Sequence, residues 1–184
     1  VSQAVKWLVC LVLAMMCALW ITPYALAEGE GTLTENITDP QNLGAVIRSA
    51  AAFGANGVIL PERRSASVNA TAWKVSAGAA AHMPVARVVN LTKALEALKE
   101  RGYYSVGLDG GGSALVGETG FETDPLVIVL GSEGKGLSRL TREACDCIAG
   151  IPMSNAVESL NASVAAGIAM YAADRARREA AASE

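Results

Sequence analysis

The feature that most constrains the fold is a regular alternation of short apolar segments and helical patterns from residue 40 onward. Residues 126–130 (LVIVL) are apolar without interruption, which is typical of a central parallel strand buried on both faces. The pattern predicts an α/β fold, with a parallel sheet covered by helices on both sides. We expect strands at 58–60, 85–89, 103–108, 126–130 and 148–152, and helices at 43–53, 69–81, 91–101, 137–145 and 159–182.

Composition restricts the possible partners and metals. The chain has 184 residues, of which 52% are hydrophobic, and this is enough for one domain with a sizeable core. Its formal net charge is −3, so a nucleic acid would need a local basic patch. The four cysteines lie in an apolar run or in a Cys-x-Cys pair, and His82 is the only histidine. No Cys/His metal site is therefore predicted.

The N-terminus does not match the rest of the chain. Residues 1–27 resemble an export signal, with Lys6 before an apolar run at 7–21 and Ala25-Leu26-Ala27 as a possible cleavage site. The run is short for a membrane span, although an anchor is possible. A third interpretation is that this segment is not the native start. Residues 28–38 are interpreted as a polar linker, and residues 31–37 as a poor strand.

Three loops fall where strands are expected to end, and ligands of parallel sheets bind beyond those ends. They are DPQNLGAVIR (39–48), LGSEGKGL (130–137), and IPM (151–153) followed by ESLNAS (158–163). The second loop lacks the Gly-Lys-Ser/Thr of a P-loop and is not Gly-x-Gly-x-x-Gly. In order and spacing, the three loops resemble the signature motifs of the SpoU/TrmH family of RNA 2′-O-ribose methyltransferases.

This resemblance covers residues 39 to about 178, and we assign 39–184 to a methyltransferase domain. It implies the SPOUT architecture, with a C-terminal trefoil knot, a homodimer and S-adenosyl-L-methionine as cofactor without metal. Residues 69–81 look like the branch that methylates a guanosine in 23S rRNA, and tRNA is the alternative substrate. A cytoplasmic location follows from this family, with a membrane partner only if 7–21 is an anchor.

The resemblance also implies roles for individual residues. It places cofactor contacts at Gly131, Ile151 and Leu160, mostly through backbone atoms, and we include Met153 from the third loop. The predicted catalytic residues are Asn42, Arg48, Glu133, Ser159 and Asn161, where Asn42 and Ser159 are also expected to cap their helices. Arg48 and Asn42 are six residues apart and are expected to project toward one site. The candidate RNA-binding residues are Arg48, Arg63, Arg64 and Lys74.

Arg48 is the decisive residue of this set. A guanidinium is effectively always protonated, so Arg48 is not expected to act as a general base. We predict that it binds the phosphate next to the target ribose and stabilises the developing alkoxide. Glu133 is expected to orient Arg48 or to help accept the proton.

Two other hypotheses remain at this point. The chain could be a truncated SPOUT domain that dimerises and binds cofactor but does not methylate RNA. It could also be an exported or anchored envelope protein, which rests on residues 1–27 alone.

Overall fold

The computed structural model describes residues 30–35, 37–132, 134–154 and 159–183. Within these ranges, strands and helices alternate along the chain. The strands are β1 (Glu30–Thr34), β2 (Gly57–Pro61), β3 (Val85–Val88), β4 (Tyr104–Leu108), β5 (Ala114–Leu115), β6 (Leu126–Leu130) and β7 (Cys147–Gly150). The α-helices are α1 (Pro40–Ala52), α2 (Ala70–Val75), α3 (Leu91–Lys99), α4 (Arg139–Ala144) and α5 (Ala162–Ala182), and a 3₁₀ turn covers Ala79–Ala81.

The strands form one sheet in the order β3-β2-β1-β6-β4-β7-β5, and each neighbouring pair is parallel. Two hydrophobic clusters cover its two faces. One cluster packs α1, α2 and α5 against the sheet, and the other packs α3 and the end of α4 against it. The predicted α/β fold, a parallel sheet with helices on both sides, is confirmed. The C-terminal trefoil knot stays a prediction.

β6 is buried along its whole length, as its apolar sequence predicts. Its side chains alternate between the two faces: Ile128 belongs to the cluster with α1 and α5, whereas Val127 and Val129 belong to the other. Because β6 lies between β1 and β4, the loop after Leu130 leaves from the middle of the carboxyl edge of the sheet.

β1 is an interior strand of the sheet, and the prediction of a polar connector over these residues is wrong. The strand pairs with β2 on one side and with β6 on the other. Thr32 and Thr34 are fully buried, and their β-branched side chains suit a pleated sheet. Hydrogen bonds to two neighbouring strands therefore stabilise a segment whose own sequence has a weak strand pattern.

The start of α1 also differs from the prediction. The helix begins at Pro40, whose fixed φ suits the first helical position. The cap is therefore the preceding residue, Asp39, whose carboxylate accepts a hydrogen bond from the backbone N–H of Gln41 at 2.9 Å. The prediction that Asn42 caps this helix is wrong, and Asn42 instead lies in the first turn.

α5 starts later than expected. Its cap is Asn161, whose side-chain oxygen accepts from the backbone N–H groups of Ser163 and Val164. Ser159 precedes the helix and does not cap it, so that prediction is wrong. The first N–H groups of a helix have no hydrogen-bond partner within the helix, and this amide oxygen accepts from two of them.

The helix predicted over 69–81 is interrupted. α2 ends at Val75, and the chain then passes through Ala77 (φ 52°) and Gly78 (φ 89°) before the 3₁₀ turn. Positive φ values are incompatible with a continuing right-handed helix. The connection from α2 to β3 (76–84) is therefore sharply bent rather than continuously helical.

No described helix is both long enough and apolar enough for a membrane span. The signal-like segment 1–27 lies outside the described residues.

Candidate active site

A cavity of about 650 Å³ lies at the carboxyl edge of the sheet, between the ends of β4, β6 and β7 and the starts of α1 and α5. Most of its lining is glycine, small or apolar. It brings together seven of the predicted site residues, from all three motifs: Asn42, Gly131, Ile151, Met153, Ser159, Leu160 and Asn161. Glu133, which was also predicted, lies outside the described residues.

The loop after β6 forms one wall of the cavity and folds back on itself. The backbone N–H of Ser132 donates to the carbonyl of Gly136 at 2.9 Å, and the N–H of Gly136 donates back to Ser132 at 2.9 Å. A Cβ on Gly131 would lie 2.3 Å from the carbonyl carbon of Gly136, which is a direct backbone clash. Only glycine fits at this position, because the backbone of residues 136–137 occupies the space that a side chain would need. Gly131 also lines the cavity, with backbone atoms alone.

Glu35 holds both ends of this loop, and sequence analysis did not identify it. Its backbone N–H donates to the carbonyl of Leu130 at 2.7 Å, and its Oε2 accepts from the backbone N–H of Ser138 at 2.8 Å. The residue is 8% exposed. A buried carboxylate that accepts a backbone hydrogen bond is costly to remove, because the N–H is then left unpaired.

Asn42 and Asn161 contact each other where α1 and α5 begin. The Nδ2 of Asn161 donates to the Oδ1 of Asn42 at 3.0 Å, and the Ser163 hydroxyl donates to the same oxygen at 3.4 Å. This contact joins the first and third motifs at the rim of the cavity. The two asparagines thus present polar groups beside an otherwise apolar and glycine-rich surface.

Asp109, directly after β4, lines the cavity and, like Glu35, was not predicted from the sequence. Its Oδ2 pairs with Nη1 of Arg142 at 2.8 Å, and its Oδ1 accepts from the backbone N–H of Gly111 at 3.0 Å. A Cβ on Gly136 would lie 3.3 Å from the same Oδ2, so the carboxylate lies against the loop after β6. Among the described lining residues, Asp109 is the only one that carries a charge.

Arg48 does not line this cavity. It is exposed and borders a separate open depression with residues 76–79 and His82. Six residues along a helix correspond to roughly 600°, so Arg48 and Asn42 lie on different faces of α1. The prediction that both project toward one site is therefore wrong for a single chain.

The candidate RNA-binding residues are all exposed. None of them forms an ion pair with any residue in the described part of the chain, whereas Lys99 and Arg142, for example, pair with carboxylates. Unpaired surface cations are free to approach phosphates. The four residues are Arg48, Arg63, Arg64 and Lys74.

The described cysteines have no acidic thiol. Burial, the largest cause, raises the pKa of Cys145 to about 12 and also raises the pKa of Cys147. Both are therefore neutral thiols near pH 7. Within the described ranges, no group of three or more His, Cys, Asp or Glu side chains is arranged to bind a metal ion.

Comparison with known proteins identifies the family. The sequence profile described as the SpoU rRNA Methylase family matches residues 32–171. The chain belongs to this family. The match extends over most of the chain, and it includes part of β1 as well as all three loops.

Several SpoU relatives are similar over most of this chain. An uncharacterised tRNA/rRNA methyltransferase of Mycobacterium ulcerans is 51% identical in an alignment 174 residues long, which covers 88% of this chain and 56% of the relative. The chain therefore spans little more than half the length of such relatives.

Solved structures of SpoU proteins have the same fold. The SpoU methyltransferase AviRb from Streptomyces viridochromogenes, in complex with the cofactor AdoMet, is 33% identical with a TM-score of 0.75, covering 82% of this chain and 58% of AviRb. A protein described as an RNA 2′-O ribose methyltransferase is 28% identical with a TM-score of 0.73, covering 83% of this chain and 57% of that one.

Proposed function

We propose that this chain transfers a methyl group from S-adenosyl-L-methionine to a ribose 2′-hydroxyl of RNA, with a guanosine of 23S rRNA as the expected target. The observation that carries the proposal is the glycine-walled cavity in which residues of all three SpoU motifs meet. The SpoU relatives support it, since one is solved with AdoMet and another is described as a 2′-O ribose methyltransferase.

The residues of the cavity fit this cofactor. A volume of about 650 Å³ lies within the range of sites for ligands of that size. Gly131 lets the loop after β6 fold closely on itself at the cavity wall, and Ile151 and Leu160 supply apolar surface. Met153 lies on the same wall. These four residues would hold the cofactor, whose sulfonium supplies an already activated methyl group when bound.

The remaining work of the chain is to position the ribose and to support loss of its proton. Asn42, Ser159 and Asn161 lie at the rim, where hydrogen bonds to a ribose would orient its 2′-hydroxyl. Arg48 lies on a different face of α1 from Asn42 and does not reach this rim within one chain. In the homodimer proposed below, we propose that Arg48 of the partner subunit meets the phosphate next to the target ribose.

Arg48 then has two effects in this proposal. Its guanidinium binds the phosphate, and its charge stabilises the alkoxide that forms as the proton leaves. Glu133 is proposed as the partner of Arg48 or as the proton acceptor. Arg63, Arg64 and Lys74 supply further exposed, unpaired charges for phosphates on the same RNA.

A test of the function uses tritiated S-adenosyl-L-methionine with 23S rRNA or tRNA that lacks the modification. We expect incorporation into 23S rRNA, in an alkali-resistant dinucleotide, because a methylated 2′-hydroxyl can no longer attack the neighbouring phosphate. The rate should be the same with and without EDTA, since no group of three or more potential metal ligands lies together among the described residues. Incorporation that requires a divalent ion would contradict the metal-free mechanism.

The same assay separates the competing hypotheses. A sequence pI near 5.3 is unfavourable for RNA affinity, and a chain that binds cofactor but transfers nothing would support the hypothesis of a domain without methyltransferase activity. Relatives named tRNA/rRNA methyltransferase keep tRNA as the alternative substrate, which would show as incorporation into tRNA alone. Incorporation that is sensitive to alkali would mean base methylation and would contradict the 2′-hydroxyl as target.

We also propose that the chain works as a homodimer, through α1 and the face of α5 that points away from the sheet. Val164, Ile168 and Tyr171 are exposed along one side of α5, at a spacing of four and then three residues. Tyr171 also packs edge-on against Phe53 at the end of α1, with ring centroids 5.8 Å apart. A row of exposed apolar side chains is typical of an interaction surface.

Light scattering at micromolar concentration should therefore report twice the monomer mass. Ile168→Glu places a charge in the centre of the row and should shift the protein to the monomer, because an unpaired buried charge is costly. Leu140→Glu is the matched control, since Leu140 is an exposed leucine on α4, away from this face. A wild-type monomer, or a dimer that survives Ile168→Glu, would contradict this interface.

A further inference from the structure

A single carboxylate stands out in the cavity. Asp109 is the only charged side chain among the described lining residues, and its side chain is 24% exposed. It follows β4 directly and is accompanied by Gly110, so that it lies at the carboxyl edge where ligands of parallel sheets bind. None of the three sequence motifs includes it.

Its known contacts leave part of its hydrogen-bonding capacity unused. An ionised carboxylate has about four acceptor positions. Gly111 occupies one position on Oδ1, and Arg142 occupies one on Oδ2. Each oxygen therefore has a second lone pair, and the side chain is held in place by two partners that lie on different elements of the fold.

The ion pair with Arg142 also restricts what Asp109 would bind. Since the guanidinium neutralises most of the net charge, the carboxylate exerts a weak field on a cation further inside the cavity. Its oxygens nevertheless remain good acceptors for O–H donors at short range. Paired hydroxyl groups, as on the ribose of a nucleoside, match two carboxylate oxygens better than an isolated positive charge does.

We propose that Asp109 accepts hydrogen bonds from the ribose 2′- and 3′-hydroxyls of the adenosyl cofactor, with Arg142 as the positioning residue that orients it. This inference rests on the proposed function, because it assumes an adenosyl ligand in the cavity. It assigns Asp109 to the part of the cofactor that is the same before and after methyl transfer. The residue thus contributes to affinity for the nucleoside rather than to discrimination between substrate and product.

The test is calorimetric titration with S-adenosylhomocysteine and with its 2′,3′-dideoxy analogue. The wild-type chain should bind the hydroxylated ligand about tenfold to a hundredfold more tightly, the range for hydrogen bonds to a charged group. In Asp109→Ala this preference should fall to less than about threefold, because the acceptor is gone. Asp109→Asn retains an acceptor for Gly111 and should give an intermediate preference.

The measured quantity is the ratio of the affinities for S-adenosylhomocysteine and its dideoxy analogue within one variant. A general loss of stability weakens both ligands and therefore does not lower this ratio. Asp174→Ala is the matched control: it removes a carboxylate that pairs with Arg178 outside the cavity, and the wild-type preference should remain. Arg142→Ala should lower the preference partly, since Asp109 then loses one of its two anchors.

The outcomes distinguish the two proposals. If the wild-type chain binds S-adenosylhomocysteine and Asp109→Ala keeps the hydroxyl preference, the assignment of Asp109 is wrong and the proposed function stands. If Asp109→Ala instead weakens S-adenosylmethionine much more than S-adenosylhomocysteine, the carboxylate acts on the sulfonium and the ribose assignment is wrong. If the wild-type chain binds neither ligand, both proposals are wrong.

Discussion

Arg48→Ala is expected to lower methyl transfer about a hundredfold or more, the scale for losing one preorganised charge-stabilising donor, while cofactor affinity stays within about twofold. The separation follows from geometry, because Arg48 is exposed on a different face of α1 from the cofactor cavity. Tritiated methyl transfer to unmodified 23S rRNA gives the rate, and calorimetric titration of S-adenosyl-L-methionine gives the affinity.

Two further variants make this result specific. Arg48→Lys should recover little activity, since an ammonium does not reproduce the planar, bidentate guanidinium. Arg101→Ala removes another exposed arginine, beyond the end of α3, and should methylate at the wild-type rate. If Arg48→Ala transfers methyl groups at the wild-type rate, the mechanism proposed here is wrong. If Arg48→Ala loses cofactor affinity as strongly as it loses activity, Arg48 acts in cofactor binding and not in methyl transfer.

Gly131→Ala is expected to show the opposite pattern, with cofactor affinity lost first. The added Cβ would lie 2.3 Å from the Gly136 carbonyl carbon and 2.5 Å from the Leu137 nitrogen, both of which are backbone atoms. The loop must move to relieve this clash, and overpacking of this kind costs about 1–3 kcal/mol or more. If the cofactor binds only the loop conformation described above, restoring that conformation costs this free energy on binding. The affinity should then drop at least about tenfold in the same titration.

Gly167→Ala is the matched control for this change. Gly167 lies on α5 and does not line the cavity, its φ is not in the left-handed region, and its Cβ would meet nothing closer than the Ser49 hydroxyl at 3.4 Å. We expect nearly unchanged affinity for this variant. If Gly131→Ala binds cofactor as tightly as Gly167→Ala does, the loop after β6 does not form the cofactor site.

Periodicity and motifs together predicted the part of the molecule that depends on local sequence. The uninterrupted apolar run of β6 identified the central strand, and the helix predicted over 91–101 is present as α3. The three loops meet at one cavity because parallel strands end at the same edge of a sheet. That convergence is a property of the fold class, so it could be predicted before any contact was known.

β1 could not be predicted in the same way. Its threonines are polar residues and suggest an exposed segment when only the local sequence is considered. In the structure, Thr32 and Thr34 are buried between two neighbouring strands. Strand preference depends largely on what the side chains pack against, and those partners are distant in sequence. A domain boundary at Asp39 consequently leaves out the strand that joins β2 to β6.

Glu35 and Asp109 were missed for a related reason. The partner of the Glu35 carboxylate is Ser138, which is 103 residues away, and the partner of Asp109 is Arg142 on another element. Neither carboxylate belongs to a recurring spacing or a motif. A lone acidic residue reads as a solvated charge until the fold brings its partner into contact.

The interior position of β1, between β2 and β6, has a consequence for biosynthesis. One edge of β1 pairs with β2, which follows soon along the chain, but the other edge pairs Leu33 with Val129. On a ribosome that adds 5–20 residues per second, roughly 5–20 seconds pass before the second partner is made. Throughout that interval the nascent chain carries an open strand edge, the feature that other chains pair with most readily. Early protection of this edge by a chaperone would therefore favour the native sheet over aggregation.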